Sequence, residues 1–325
     1  MNYKKILTFT ISFLISFSGF SQEAKDRNQE NINVNKFRQL YQEFSTPNMY
    51  RTASGAPGPA YYQQQADYKM DIELDDENKK IYGSETITYT NNSPDNLEYL
   101  WVQLDQNVRK KDSPSLLIDG SGVRPAYAPS GFTKEFLTDP FDGGFNIEYV
   151  VDENNKPLKY IVNQTMMRVD LPSVLKSGEK FSFSIKWWYN IQDHVNQDGR
   201  SGYETFDKDG NRVYIIAQFF PRMAVYNEVE GWQNYQFWGD GEFALPFGNY
   251  DVKITVPSDH ILDATGKLQN RKNIFSKEMI KRFNKAKKTY DKPVMIVTQA
   301  EAEEAEKGFL KKKKTWHFQA ENVRD

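Results

Sequence analysis

The residues of this chain whose chemistry could drive a reaction are few and scattered. Three histidines, His194, His260 and His317, lie on three separate segments. None stands four residues from another and none is followed by Glu. The sequence therefore lacks the two-histidine helical face with its neighbouring carboxylate that hydrolytic zinc sites use. Each histidine reads as an ordinary surface or strand residue. The chain has no Cys, which removes thiolate nucleophiles, Cys-type metal sites and disulfides together. No G-x-S-x-G elbow, Walker loop or dinucleotide fingerprint occurs.

Two acidic groups come nearer to a site. Asp207-Lys208-Asp209-Gly210-Asn211 has the look of a calcium loop, but its Gly stands fourth where an EF-hand loop needs it sixth. A β-turn between Tyr203 and Tyr214 accounts for it without a metal. Glu228-Val229-Glu230-Gly231-Trp232 and Asp240-Gly241-Glu242-Phe243 are joined by an aromatic strand. Paired carboxylates serve acid–base work or hold an ammonium group, and two loops on one sheet edge are the simpler account. The run I-I-A-Q-F-F-P-R-M-A-V-Y-N-E-V-E-G-W, residues 215–232, is at once apolar and polar-studded. Gln218 within it is flanked by apolar residues, so its amide is expected to be partly buried and to require partners. Residues 218–232 are expected to expose an apolar contact surface.

The elements that must position these groups are strands. Met70, Ile72 and Leu74 alternate with charged residues, and residues 81–90 follow. Leu100, Val102 and Leu104 share a face, as do Phe181, Phe183, Ile185, Trp187, Tyr189 and Ile191. Tyr250, Val252, Ile254 and Val256 repeat the period, and Trp316, Phe318 and Ala320 close the chain with it. Turn signals separate the runs at Asn154-Asn155, Ser177-Gly178, Asp209-Gly210 and Pro257-Ser258-Asp259. This pattern predicts a mainly β fold, an antiparallel β-sandwich or large twisted sheet. A helical insertion, residues 275–308, interrupts it. Met279, Phe283, Ala286 and Tyr290 recur at helical intervals, and Thr298 with Glu301 forms a capping box. Residues 294–297 are expected to form a short strand between its helices. Lys311 to Lys314 read as a solvated run.

The ends and the charge set the context. Lys4 and Lys5, an uncharged apolar and hydroxyl run over residues 6–20, and small residues before Gln22 have the layout of a secretory signal peptide, residues 1–21. Residues 22–61 are expected to be a polar leader, with a short helix carrying Phe37, Leu40, Tyr41 and Phe44 and a Pro/Gly linker at 54–59. The β domain is expected over residues 62–325. With 42 basic and 44 acidic residues the formal charge is −2, which suggests no nucleic-acid partner. No later segment has the length of a membrane span, so an exported protein, periplasmic or extracellular and free of the membrane after cleavage, is expected.

Five segments, taken in order, resemble the N-terminal domain of the aminopeptidase N family of zinc metallopeptidases. They are G-S-E-T-I-T-Y-T-N-N-S-P-D-N-L-E-Y-L-W-V-Q-L-D (83–105), L-P-S-V-L-K-S-G (171–178), A-Q-F-F-P-R-M-A-V-Y (217–226), G-E-F-A-L-P-F-G-N-Y-D-V-K-I-T-V-P (241–257) and A-T-G-K-L-Q-N (264–270). The closing W-H-F-Q-A-E-N-V-R-D resembles that family's approach to its catalytic domain. The resemblance implies a saddle-like β domain that walls a substrate cleft, with the helical insertion a subgroup feature. It also implies that zinc, the H-E-x-x-H motif and the catalytic residues belong to a catalytic domain missing from this sequence, so that this chain carries no cofactor and no catalytic residue of its own. Its partners would be that domain and a peptide substrate. The family's Gln-x-Gln/Glu pattern, which lies near a substrate's amino terminus, falls on Gln218 and Phe220. Gln218 matches, and Phe220 is apolar where the second polar residue is expected. A free-standing secreted binding module and a non-catalytic scaffold remain open as alternatives.

Overall fold

In each period-two run one face is apolar, and burying it requires every second side chain to point the same way. The computed structural model describes residues 47–115, 126, 128–133, 137, 141–195, 197, 201–239 and 244–324, and in it these runs are strands. β1 (Gln65–Asp75) and β2 (Lys80–Thr90) form a hairpin paired over its whole length, and β2 pairs in turn with β7 (Lys180–Asn190). β4 (Asn146–Asp152) edges β7. On the other flank of β1 lie β13 (Gly248–Pro257), β15 (Lys313–Val323) and the short β14 (Lys267–Leu268). The order across this seven-stranded sheet is β14-β15-β13-β1-β2-β7-β4.

A second sheet of four strands runs β10 (Arg222–Met223), β3 (Leu97–Gln103), β6 (Met166–Leu175) and β5 (Tyr160–Asn163). One core joins the two sheets. Ile87, Phe183, Ile185 and Trp187 of the large sheet share it with Leu100, Val102 and Val169 of the small one, and all are fully buried. Gly83 stands opposite Trp187 across β2 and β7, and a Cβ there would sit 2.4 Å from the indole. Glycine is what lets the largest core side chain lie flat on the sheet. Two small ribbons complete the β structure, β8 (Gly202–Thr205) with β9 (Arg212–Ile215), and β11 (Tyr226–Asn227) with β12 (Gly231–Trp232).

The mainly β reading holds, and one pairing departs from the antiparallel expectation. β13 runs parallel to β1, with Tyr68 opposite Tyr250 and Glu73 opposite Thr255. Alternation reports the face a side chain takes, not the direction of the neighbouring strand. The long excursion between β2 and β13 supplies the crossover that parallel neighbours need.

The insertion is helical, as the periodicity predicts. Helix α1 (Lys277–Ala286) has Ser276 as its N-cap, and helix α2 (Gln299–Ala305) carries the Thr298–Glu301 capping box. The strand expected at 294–297 is absent: this stretch is irregular, and the carbonyl of Ile296 accepts from Arg282 Nε at 2.8 Å. An apolar run becomes a strand only where a sheet edge receives it, and none of the sheet pairings reaches these residues. The packed unit begins at Pro47, ahead of Tyr62. Residues 54–59 form a tight loop whose backbone bonds include Thr52 N–H to Ala56 O and Gly58 N–H to Tyr50 O. The loop is tied to the domain by the Arg51–Glu228 ion pair and by the Tyr50–Tyr62 ring contact. The signal peptide, the helix expected near Phe37 and the Asp240-Gly241-Glu242-Phe243 group lie outside the described residues.

Candidate functional site

Residues 216–221 leave β9 without a strand partner, so their backbone groups must be satisfied by other means. Side chains from the large sheet and from neighbouring loops do this. Gln106 Nε2 donates to the carbonyls of Ala217 at 3.1 Å and Gln218 at 3.0 Å. Trp187 Nε1, from the centre of the large sheet, donates to the carbonyl of Phe219 at 3.2 Å. The Ser201 hydroxyl accepts from Ala217 N–H at 3.2 Å, and the Tyr68 hydroxyl accepts from Met223 N–H at 2.9 Å. Arg222 closes the strap with two hydrogen bonds to Asp105 Oδ2, 3.0 Å from Nε and 2.7 Å from Nη2. Both partners are buried, with side chains 8% and 0% exposed.

Asp105 and Gln106 belong to a single 3-10 turn, Asp105–Arg109, that follows β3. Its Asn107 is also committed inward, donating to the Gln164 carbonyl at 2.7 Å and accepting from Phe145 N–H at 2.9 Å. The L-D-Q-N segment is thus a set of internal clamps. Sequence reasoning gave these residues no role, although three adjacent polar residues straight after an alternating strand were a signal that they turn inward.

Held this way, Gln218 adopts a left-handed backbone, φ 51°, which is uncommon for a residue with a side chain. Its side chain is half-buried, and among the described residues its amide has no hydrogen-bond partner. Phe220, two residues on, is 4% exposed and packs on Tyr68, Tyr250 and Phe219, so its position supplies core and not a second polar group. The expectation that residues 218–232 expose an apolar surface is overturned. Phe220, Met223, Ala224, Tyr226 and Trp232 are all buried, because the strap turns the apolar side of the segment onto the two-sheet core.

Gln218 opens on a groove of about 1310 Å³. Its floor is apolar, from Met70 and Ile72 of β1 and Val252 and Ile254 of β13, and Phe309, just after the insertion, borders it. Polar groups stand along the rim. Tyr214 donates to Asp76 Oδ1 at 2.6 Å, and Arg212 Nη1 donates to the same oxygen at 3.2 Å. Burial, and then the Asp76 carboxylate, push the Tyr214 phenol well above its usual range, so it remains a neutral donor. His260 lies beside Asp259, Nδ1 to Oδ1 at 3.1 Å, and its ring stands 6.2 Å from that of Tyr214. The arrangement can hold an extended, partly apolar ligand and offer it one amide. It binds and orients, since an amide neither takes nor gives a proton near neutral pH.

The other sequence candidates are placed apart. His317 on β15 contacts Asp251 at 3.0 Å, and His194 is exposed in a loop. Asp209 sits in the turn of the β8–β9 hairpin, where Tyr203 pairs with Tyr214 and Gly210 takes φ 75°. Glu228 is bound by Arg51, whereas Glu230 accepts from the Tyr235 hydroxyl at 2.8 Å, so the two carboxylates are engaged separately. Among the described residues no group of three or more His, Cys, Asp and Glu could hold a metal ion.

One buried acid was missed. Glu85 faces the core from the middle of β2, between Gly83 and Ile87 on the inward parity, and is 2% exposed. Burial raises its pKa well above the carboxyl range, and neither oxygen has a partner among the described residues. Its parity with Ile81, Ile87 and Tyr89 was the available signal.

No protein-family profile matches the sequence, and no curated protein matches it. Several solved structures are similar in part. An M1 zinc metallopeptidase from Deinococcus radiodurans shares 12% identity, covering 66% of this chain and 37% of that one, with a TM-score of 0.35. A point mutant of that enzyme gives the same identity and coverage with a TM-score of 0.34. A mutant two-domain M1 zinc metallopeptidase bound to L-tryptophan also shares 12% identity, with 66% and 38% covered and a TM-score of 0.34. The chain spans well under half the length of these proteins, and the likeness assigns no residue or activity to it.

Proposed function

We propose that this chain is the β domain of an exported zinc metallopeptidase of the aminopeptidase type. In that role it lines the substrate cleft and leaves metal chemistry to a catalytic domain. The observation that carries the reading is the setting of Gln218. Part-buried hydrogen bonds from Gln106 and Trp187 hold the strap around it, its backbone is left-handed, and its amide, without a protein partner among the described residues, lies at an apolar groove. A left-handed backbone at a residue with a side chain is strained, and such strain collects where a ligand is held. The segment resemblance supports the same reading, because Gln218 falls on the polar position that the family places near a peptide's amino terminus.

Gln218 would accept from a substrate ammonium or donate to a peptide carbonyl, while the apolar floor takes side chains. Phe220 offers no second polar contact, so discrimination in favour of a free amino terminus is expected to be weaker than two polar residues would give. The test is peptide hydrolysis by the protein made from the chromosomal reading frame that encodes this chain, beside the 325-residue chain itself. Chelator-sensitive hydrolysis by the former, faster on free than on N-terminally blocked peptides, with none by the latter, is the expected result. Activity that resists chelation, or activity from the 325-residue chain alone, would overturn the assignment.

A further inference from the structure

The stretch that enters the insertion and forms its first helix carries a charge that the chain-wide value of −2 conceals. Residues 271–292, R-K-N-I-F-S-K-E-M-I-K-R-F-N-K-A-K-K-T-Y-D-K, hold nine basic and two acidic residues. The helix sorts them. Lys277, Lys281, Lys285 and Lys288 recur at spacings of four, four and three, and all four are exposed. Side chains at such spacings line one helical face. Backbone bonds from Lys287 N–H to the Phe283 carbonyl and from Lys288 N–H to the Lys285 carbonyl extend that face past α1.

The opposite face is already committed. Phe283 meets Phe275 at 6.2 Å between ring centroids, and Phe275 packs on Trp316 of β15 at 5.9 Å. Arg282, between the two faces, reaches α2 through Glu301 at 2.7 Å. The acidic helix therefore flanks the lysine face and does not cover it. Of its remaining acids, Glu304 pairs with Lys307 and Glu303 accepts from Gln299. Lys281 has only a long contact of 3.9 Å to Glu278, while Lys277, Lys285, Lys288 and Lys292 have no carboxylate partner among the described residues. Two residues past Lys288, the ring of Tyr290 is 93% exposed, and Met295 beyond it is 66% exposed.

We propose that this lysine face is a docking surface for an anionic phospholipid membrane, with Tyr290 as its interfacial contact. The cations are lysines, which act as flexible point charges, and not the arginine forks that grip single phosphates. They stand in an open row at the outside of an appendage, which suits a diffuse sheet of negative charge. An exposed aromatic flanked by lysines suits the headgroup layer, where tyrosine places its ring in the apolar margin and its hydroxyl in water. No helix among the described residues is long and apolar enough to cross a membrane. The expectation that the exported protein is free of the membrane rested on the lack of a span, which does not report a local face.

The full chain is tested by sedimentation with vesicles of phosphatidylglycerol and phosphatidylcholine in equal parts, against phosphatidylcholine alone. The apolar run at residues 6–20 is common to every variant, and the phosphatidylcholine arm measures its contribution. Substitution of Lys277, Lys281, Lys285 and Lys288 by Gln is expected to lower affinity for the anionic vesicles on the order of 1000-fold. The same charge removed at Lys156, Lys159, Lys176 and Lys180, exposed on other elements, is expected to change it less than about threefold. Tyr290→Ser is expected to weaken binding several-fold. Equal loss in the two quadruple variants, equal binding to neutral and anionic vesicles, or tighter binding to duplex DNA than to the anionic vesicles would overturn the proposal.

Discussion

Two regions of this molecule depart from the alternating strands, and each is held by an arginine–carboxylate pair. In the strap at 216–223 the pair is Arg222 with Asp105, whose side chains are 8% and 0% exposed. In the insertion it is Arg282 with Glu301, at 26% and 32%. The chemistry is the same and the consequences differ. A buried pair loses most of its hydration, so removing one partner strands a charge. A solvated pair exchanges ion contacts for water at little net gain. The strap is therefore expected to be rigid and coupled to the core. The insertion is expected to behave as a semi-independent appendage, joined to the sheet by Phe275 against Trp316.

The largest effect should come from the buried pair. Asp105→Ala should lower unfolding stability by about 3–5 kcal/mol, read as a fall in the chemical denaturation midpoint without a change in slope. A loss no greater than that of the matching Glu301→Ala variant would erase the contrast between the regions.

Glu85 sharpens the comparison within the core. It is a buried acid with its pKa raised by burial, so its folded-state value exceeds its unfolded one. Such a group favours folding most below the ordinary carboxyl range and loses that contribution as pH rises through the raised value. Glu85→Met should therefore stabilise the protein near neutral pH, by about 1–3 kcal/mol, and by less at acid pH. Thermal melts at the two pH values decide this, and a destabilised variant at neutral pH would mean that the acid has a role in holding the core.

Replacing residues 277–306 by a short Gly/Ser linker should cost little, less than about 1 kcal/mol, because loop closure varies slowly with length. The cut spares Phe275, which the structure places in the anchor. Loss of cooperative unfolding would show that the appendage belongs to the core.

The smallest effect concerns Glu301, whose carboxyl is lowered to about 2 by hydrogen bonds from Arg282 and then from Thr298. A depressed carboxyl contributes above its unfolded value and loses that contribution as pH falls toward the folded one. Helix content of the insertion should fall as pH drops from the ordinary carboxyl range to about 2, and Glu301→Gln should flatten that dependence. Circular dichroism of the two proteins over this range measures it. A wild-type signal independent of pH would remove the pair from the account.

Much of this contrast was legible in the sequence, and the reasons for the rest are physical. Alternation placed Phe183, Ile185 and Trp187 on one buried face, and Thr298 with Glu301 announced a helix start. Both are local signals carried by a few neighbouring residues. Arg222 and Asp105 stand 117 residues apart, so no spacing rule could join them. The parallel β1–β13 pairing was hidden for the same reason, since a strand's pattern names its faces and not its neighbour. Residues 294–297 show the reverse error, because an apolar run with strand propensity lacks a sheet edge to receive it. Gln218 was singled out for its apolar flanks, but the left-handed backbone and the clamps from Gln106 and Trp187 follow only from the assembled fold.

The central claim, that the strap holds Gln218 out as a ligand contact, is tested most directly by Gln218→Ala in the protein made from the chromosomal reading frame, with the peptide hydrolysis of the proposed function as the readout. The backbone clamps do not use the Gln218 side chain, so the melting temperature should stay within about 2 °C of the parent. KM for free peptides should rise about tenfold, as expected for the loss of one hydrogen bond to a charged group, with kcat little changed. A lowered melting temperature with unchanged KM would show that the amide serves the fold and not a ligand.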